Sequence, residues 1–216
     1  MYTQKTDNDA VLIHQAWPGK RNEDMLQLIE PRHQDYCDKY KFDLWSIKRS
    51  ITDYPAQEKT WERLVLVKQA MLAGYKYIVW MDTDAIIRDD KMDLRTACKD
   101  IGVCYDAMFR VHHYNCGVMY FENTAKIRDF IFEWHERYPG GLWNGERWHE
   151  QTEFNSMVSK YPILVHKLDN CWNSYPTIPC PADKVIVRAW HGPIMPDEKY
   201  RQMSAYLNSL PPIINS

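Results

Sequence analysis

The chain has 216 residues and a mass of 25.8 kDa, which suits one α/β domain or at most one and a half domains. Its 27 Lys and Arg nearly balance 29 Asp and Glu, for a net charge of −2, which argues against the strongly basic face of a dedicated nucleic-acid binder. Apolar residues at 45% and charged residues at 26% argue against disorder, and no apolar stretch is long enough to span a bilayer.

The opening MYTQKTDNDA is polar and has no signal-peptide apolar core. We therefore expect a cytoplasmic protein or a truncated catalytic domain, of bacterial-like or viral kind, with its six cysteines reduced. A Cys171–Cys180 bridge across the loop between them is geometrically possible, but the expected compartment opposes it. Nine Trp, fourteen Tyr and six Phe make up 13% of the chain, and flat rings with polar rims suit sugars and bases as well as a core.

In chain order, the apolar run 10–13 reads as a first buried strand. Residues 23–40 have helical spacing, with Met25, Leu28, Ile29 and Tyr36 on one side and Pro31 expected to kink or restart the helix. Residues 42–47 read as a second strand. The clearest helix covers 59–73, where Trp61, Leu64, Val65, Lys68, Met71 and Leu72 recur at helical spacing and Gly74 ends it. Tyr77–Met81 is a continuous apolar run, as a central parallel strand should be. This strand–helix alternation is a doubly wound opening.

In the second half, strands are expected at 107–111, 118–121, 163–166 and 185–187, and helices at 125–138, 150–159 and 198–207. The Pro-rich loop 172–181 belongs to neither pattern, and long loops in compact domains are often functional.

The strongest chemical signal is YIVWMDTDAII, an apolar strand that runs straight into Asp82-Thr83-Asp84. In open α/β sheets the carboxyl ends of strands face the ligand crevice. Carboxylates at i and i+2 of an extended chain point to one side, so both can meet one cation. Without a cation, two acids beside a dry core would repel each other and lose hydration. Hard oxygen ligands suit Mn²⁺ or Mg²⁺ held partly by substrate phosphates. An isolated D-x-D more often caps a turn; the preceding apolar strand favours a metal site.

The stretch TWERLVLVKQAMLAGYKYIVWMDTDAII resembles the core of the metal-dependent GT-A glycosyltransferases, in which a helix precedes a strand ending in D-x-D. It looks most like the retaining α-galactosyl-, mannosyl- and xylosyltransferase group, and more distantly like glycogenin-type enzymes. RHQDYCDKYKFDL is similar to the "YC…HGY" segment of that group, with Lys41 in place of the usual small residue, and LIHQAW resembles the I-H-Q-x-W opening of another retaining family.

Further pieces agree in order over roughly residues 10–195. Asn115-Cys116-Gly117-Val118, followed by Phe121, Glu122 and Asn123, resembles "N-S/T-G-V…N", where Asn and Gly approach the donor sugar. Glu150-Gln151-Thr152-Glu153-Phe154-Asn155 resembles the "D-Q-x-x-L-N" helix start that faces the anomeric centre, with Glu in place of Asp. VIVRAW leads to His191-Gly192, where relatives carry a late metal-binding His before Gly. A neutral imidazole beside two carboxylates is good Mn²⁺ chemistry.

The resemblance implies a single mixed, mostly parallel Rossmann-like GT-A domain, with a nucleotide-sugar half at about 1–100 and an acceptor half at about 101–216. It implies Mn²⁺ (or Mg²⁺) on Asp82, Asp84 and His191, with Glu150 and Gln151 at the reacting carbon. The donor, a UDP- or GDP-sugar, is expected to meet Arg63 or Lys68, Thr83, Asn115, Gly117 and Gly192, with its nucleotide near His14, Gln15 and Trp17. Retention is expected, with Glu150 or Gln151 stabilising oxocarbenium character; a covalent route through Glu150 stays open. Trp143, Trp148, Trp172, Asn173 and Tyr175 are candidates for a glycan acceptor platform, whereas Trp61 and Trp80 read as core. Two alternatives compete, a metal-dependent nucleotidyltransferase and a non-catalytic sugar-binding module. A phosphohydrolase fits less well, because Ile86 stands where its D-x-D-x-T/V motif needs Thr or Val.

Overall fold

The structure, a computed structural model, describes residues 6–17, 19–106, 113–139, 149–175, 180–191 and 194–214. The strand expected at 107–111, together with Trp143, Trp148 and Gly192, lies outside the described residues.

The chain opens with β1 (Ala10–Gln15), α1 (Lys20–Tyr40) and β2 (Phe42–Ile47). A 3-10 turn at Ala56–Trp61 leads into α2 (Glu62–Leu72), then β3 (Tyr77–Met81), β4 (Ala85–Ile87) and β5 (Ile101–Tyr105). β6 (Tyr114–Glu122), α3 (Ala125–Glu136), α4 (His149–Val158) and β7 (Val165–Lys167) follow. β8 (Val187–Ala189) and α5 (Pro196–Ser209) come last. The main sheet has six strands in the order β2-β1-β3-β6-β5-β7. β1 pairs in parallel with β2 and β3, and β5 with β7, while β6 runs antiparallel to both β3 and β5. The sheet is therefore mixed and mostly parallel.

The apolar runs of β1 and β3 follow from burial on both faces. Val11, Ile13, Ile78 and Trp80 point into one core with Leu64 and Val67 of α2 and Phe130 and Trp134 of α3. Leu12, Val79 and Met81 point into the other with Tyr36 and Cys37 of α1. Trp61 and Trp80 are fully buried, as expected of core residues. Among the described residues no helix is long and apolar enough to cross a membrane.

Several boundaries move. α1 runs uninterrupted through Pro31, contrary to the expected kink or restart. Pro31 and Gln27, whose carbonyl loses its helical partner, are both exposed, so water can satisfy that carbonyl. Lys41 ends α1 in the left-handed conformation, φ 59°, where a small residue such as Gly would be unstrained. The last strand is Val187–Ala189 rather than 185–187, because it is set by antiparallel pairing with β4.

The expectation of six reduced thiols is corrected for one pair. Cys171 and Cys180 form a disulfide, with Cα atoms 5.5 Å apart, while Cys37, Cys98, Cys104 and Cys116 are free and buried. Spacing alone made the bridge possible, and the turn over 170–175 realises it.

Candidate active site

The acidic pair does not sit in an extended chain as its i, i+2 spacing suggested. The Ala85 N–H donates to the Asp82 carbonyl at 3.1 Å, closing a turn between β3 and β4. Asp82 Oδ1 accepts from Trp80 Nε1 at 2.8 Å and from Arg63 Nη2 at 3.2 Å, while Asp84 Oδ2 accepts from Lys199 Nζ at 2.6 Å. The two carboxylates thus have separate cationic partners and still converge. Asp82, Asp84 and His191 each offer an atom within 4.8 Å of the others.

His191 arrives through the small sheet. β4 and β8 pair antiparallel, with Ala85 opposite Ala189 and Ile87 opposite Val187, and the Trp190 N–H donates to the Asp84 carbonyl at 2.9 Å. Asp84 Oδ1 is buried and makes no hydrogen bond among the described residues; His191 Nδ1 is its neighbour at 3.4 Å. Two carboxylates and an imidazole around an unsatisfied buried oxygen fit a divalent cation such as Mn²⁺.

Burial pushes the Asp82 carboxyl up to about 6, with the Asp84 carboxylate adding to the shift and Arg63 opposing it. For Asp84 burial acts in the same direction, but His191 and Lys199 outweigh it and hold that carboxyl below the usual range.

Arg63 joins this pair to α4. Its side chain is 4% exposed, donates to the Cys116 carbonyl and lies 3.5 Å from Glu150 Oε1. Its guanidinium also sits 5.2 Å from the centre of the Trp80 ring. Burial opposes its charge, but Asp82 and Glu150 more than offset that and keep it protonated. Gln151 accepts the Cys116 N–H through Oε1 at 2.8 Å, so its carbonyl is committed to β6. Glu150, Gln151 and Thr83 are all buried.

Lys68 is elsewhere. Its ammonium lies 3.1 Å from His135 Nδ1 and 4.5 Å from the centre of the Phe132 ring, so Arg63 is the helix cation that faces the acids.

His14 is fully buried, and both of its ring nitrogens are used inside the protein. The Ile87 N–H donates to His33 Nε2 at 3.0 Å, which places the His33 proton on Nδ1. That proton is given to His14 Nε2 at 2.9 Å, and His14 Nδ1–H donates to the Met81 carbonyl at 3.1 Å. The rings stack with centroids 4.7 Å apart. Met81 precedes Asp82 and Ile87 ends β4, so the pair ties together both ends of the acidic turn. His33 went unremarked, although it shares the apolar face of α1 with Ile29, Tyr36 and Cys37.

Burial brings His14 down to about 4 from the ordinary 6.5, and burial next to His14 puts His33 well below 6.5. An unfolded chain takes up these protons as pH falls through 6.5 and the folded pair does not. The pair's contribution to stability is therefore full above 6.5 and declines toward pH 4, by on the order of 3 kcal/mol for His14. Asp82, raised to about 6, acts in the opposite sense over much of this range. Ring ¹⁵N NMR isolates the pair: both rings are expected to stay neutral from pH 7 to about 5, and titration of either near 6.5 contradicts the arrangement.

Gln15 is buried, and its amide nitrogen donates to Glu62 and to the Arg49 carbonyl, leaving a buried Oε1 without a partner among the described residues. Trp17 is half-buried. Of the acceptor candidates, Trp172 packs edge-on against Tyr120 and Tyr175 donates to Asp106 at 2.8 Å. Asn173 is fully buried between Asn115 and His191. Neither Tyr175 nor Asn173 presents an open platform. Lys199 escaped the sequence reading; its only signal was a lysine in the first turns of a helix opened by Pro196.

Solved structures share this architecture. A glycosyltransferase involved in the glycosylation of the major capsid of PBCV-1 superposes with a TM-score of 0.72 at 11% identity, covering 91% of this chain and 98% of that one. Galactosyltransferase LgtC, in complex with donor and acceptor sugar analogs, superposes with a TM-score of 0.52 at 15% identity, covering 94% of this chain and 97% of that one. The fold is that of the GT-A glycosyltransferases. Residues 7–131 match the model of the galactosyl transferase GMA12/MNN10 family, and the chain belongs to that family. It is a glycosyltransferase. No curated protein sequence is significantly similar to the chain.

Proposed function

We propose that the protein moves a hexosyl or pentosyl unit from a nucleoside diphosphate sugar to a glycan or glycoconjugate acceptor, with retention of configuration and with Mn²⁺ (or Mg²⁺) as cofactor. The observation that carries this reading is the convergence of Asp82, Asp84 and His191 beside the Arg63–Glu150 pair. A bound divalent cation would supply Lewis-acid stabilisation of the departing diphosphate.

The chain's own residues divide the remaining work. Arg63, held in place by Asp82, Glu150 and the Cys116 carbonyl, is a preorganised positive charge that needs no reorientation as negative charge grows on the leaving group. Lys199, fixed on Asp84, adds a second. Glu150 is buried beside Arg63, where its carboxylate can stabilise positive character at the anomeric carbon. Gln151 offers its remaining amide nitrogen. Trp17 and Gln15 Oε1 are the groups we assign to the nucleotide. In this account residues 1–216 form one catalytic domain, the first half binding the nucleotide sugar and the second adding Glu150, Asn115 and His191.

Nucleotide release is the test. Purified protein with Mn²⁺ and a panel of UDP- and GDP-sugars, UDP-galactose first, should release the nucleoside diphosphate from at least one donor, and EDTA should stop it. Consumption of nucleoside triphosphates with no sugar nucleotide turned over would favour a nucleotidyltransferase instead. The anomeric configuration of the product then decides retention.

A further inference from the structure

We propose that Asn173 and Asn115 form an amide relay that fixes the tautomer of His191 and so presents its Nδ1 lone pair to the cation shared with Asp82 and Asp84. This rests on the metal reading above and adds a positioning role for residues otherwise assigned to donor or acceptor.

The relay is fixed from one end by a group that cannot change its role. The Gly117 backbone N–H donates to the side-chain oxygen of Asn115 at 2.8 Å, so the atom facing Gly117 is Oδ1. The same Oδ1 lies 3.1 Å from the Asn173 amide, which must turn its Nδ2 toward it. Asn173 Oδ1 then faces His191 Nε2 at 3.0 Å and can only accept, so Nε2 carries the proton. In a neutral imidazole that leaves Nδ1 bare, 3.4 Å from Asp84 Oδ1, which is buried and makes no hydrogen bond among the described residues. Two lone pairs at that separation call for a positive charge between them, either a proton or a metal ion. Ligating histidines characteristically donate their second ring N–H to a fixed acceptor, which sets the tautomer and raises the basicity of the ligand.

The supporting parts are rigid. Asn115 and Asn173 are buried, and Asn173 is held by backbone pairing of its neighbour: Ser174 N–H donates to the Val187 carbonyl at 2.9 Å, and Ala189 N–H to the Ser174 carbonyl at 2.7 Å. These bonds lock Asn173 to β8, the strand that delivers His191. The Cys171–Cys180 disulfide closes the same segment. Gly117 completes the seat. A Cβ there would collide with His191 Cε1 and lie 2.8 Å from Nε2 and 3.0 Å from Asn115 Oδ1. The Gly of the N-x-G segment is therefore required by the imidazole that packs on it.

The test reads the tautomer and the metal separately. In metal-free, ¹⁵N-labelled protein at neutral pH, long-range ¹H–¹⁵N correlation should show His191 protonated on Nε2. Asn173→Ala should lose that preference and lower Mn²⁺ affinity, read by electron paramagnetic resonance of free Mn²⁺, by about ten- to a hundredfold. Asn173→Asp, which keeps an acceptor for the Nε2 proton but loses the donor to Asn115 Oδ1, should restore the Nε2–H tautomer. A wild-type ring protonated on Nδ1 with bare Nε2 overturns the relay, and this reading stands even if Asn173→Ala fails to fold. So does an Asn173→Ala protein with unchanged tautomer and unchanged Mn²⁺ affinity; in that case the metal reading survives alone. A wild-type protein that takes up no Mn²⁺ overturns both.

Discussion

Asp84→Asn is expected to reduce sugar transfer by roughly 10²–10³-fold or more while leaving the fold in place. The substitution removes the negative charge that we assign to the cation yet keeps an oxygen that can accept from Lys199, whose ammonium now rests on Asp84 Oδ2. Asp84→Ala is a poorer probe, because Lys199 and Asp84 are each only 14% exposed and truncation leaves the ammonium unpaired in a buried setting. Steady-state rates with saturating Mn²⁺ and donor, alongside thermal unfolding, separate the two effects. An Asp84→Asn enzyme within threefold or so of wild type would remove this carboxylate from the chemistry.

Glu62→Ala is expected to give the largest loss of stability, roughly 3–5 kcal/mol. Glu62 is fully buried at the start of α2, and its carboxylate accepts from Gln15, from the hydroxyls of Ser50 and Thr52, from the backbone N–H groups of Ile51 and Thr52, and from Lys59. One side chain therefore fixes the end of β1, the loop after β2 and the entry to α2. Burial alone would raise its pKa, but the bonds from Ser50, Thr52 and Ile51 prevail and hold it low. Removing it takes the counter-charge from Lys59, whose ammonium keeps Ser50 Oγ and the Thr52 carbonyl, and takes the carboxylate acceptor from the Ile51 and Thr52 N–H groups. Chemical denaturation of wild type and Glu62→Ala measures the difference, and a loss below about 1 kcal/mol would mean water or neighbours replace the carboxylate.

Much of this architecture was legible in the sequence because it depends on local periodicity. The apolar run before Asp82 reads as a central strand buried on both faces, and the helical pattern ending at Gly74 marks the end of α2 to within one residue and its start to within three, the 3-10 turn taking up the difference. The late His191 and the acidic start of α4 were legible as motif positions. What escaped depends on contacts between distant segments. No local pattern shows that β4 and β8 pair, yet that pairing brings His191 to Asp84 and places Lys199 nearby. His14 was assigned to the nucleotide because it stands at a strand end, where crevice residues occur. No local pattern shows that both of its ring nitrogens are taken, by His33 of α1 and by the Met81 carbonyl. Asn173 looked like part of an open aromatic loop, and the backbone pairing of its neighbour Ser174 with β8 holds it in the interior. The opening aromatic excess divides likewise: Trp80 is core and also a hydrogen-bond donor to Asp82, and Trp172 leans on Tyr120.

We propose that Asp82, Asp84 and His191 together hold one divalent cation at the donor diphosphate. A crystal structure with Mn²⁺ and UDP tests it most directly. One manganese is expected within coordination distance of both carboxylates and of His191 Nδ1, next to the UDP diphosphate. UDP bound with no manganese among these three residues, or manganese bound elsewhere, would contradict it.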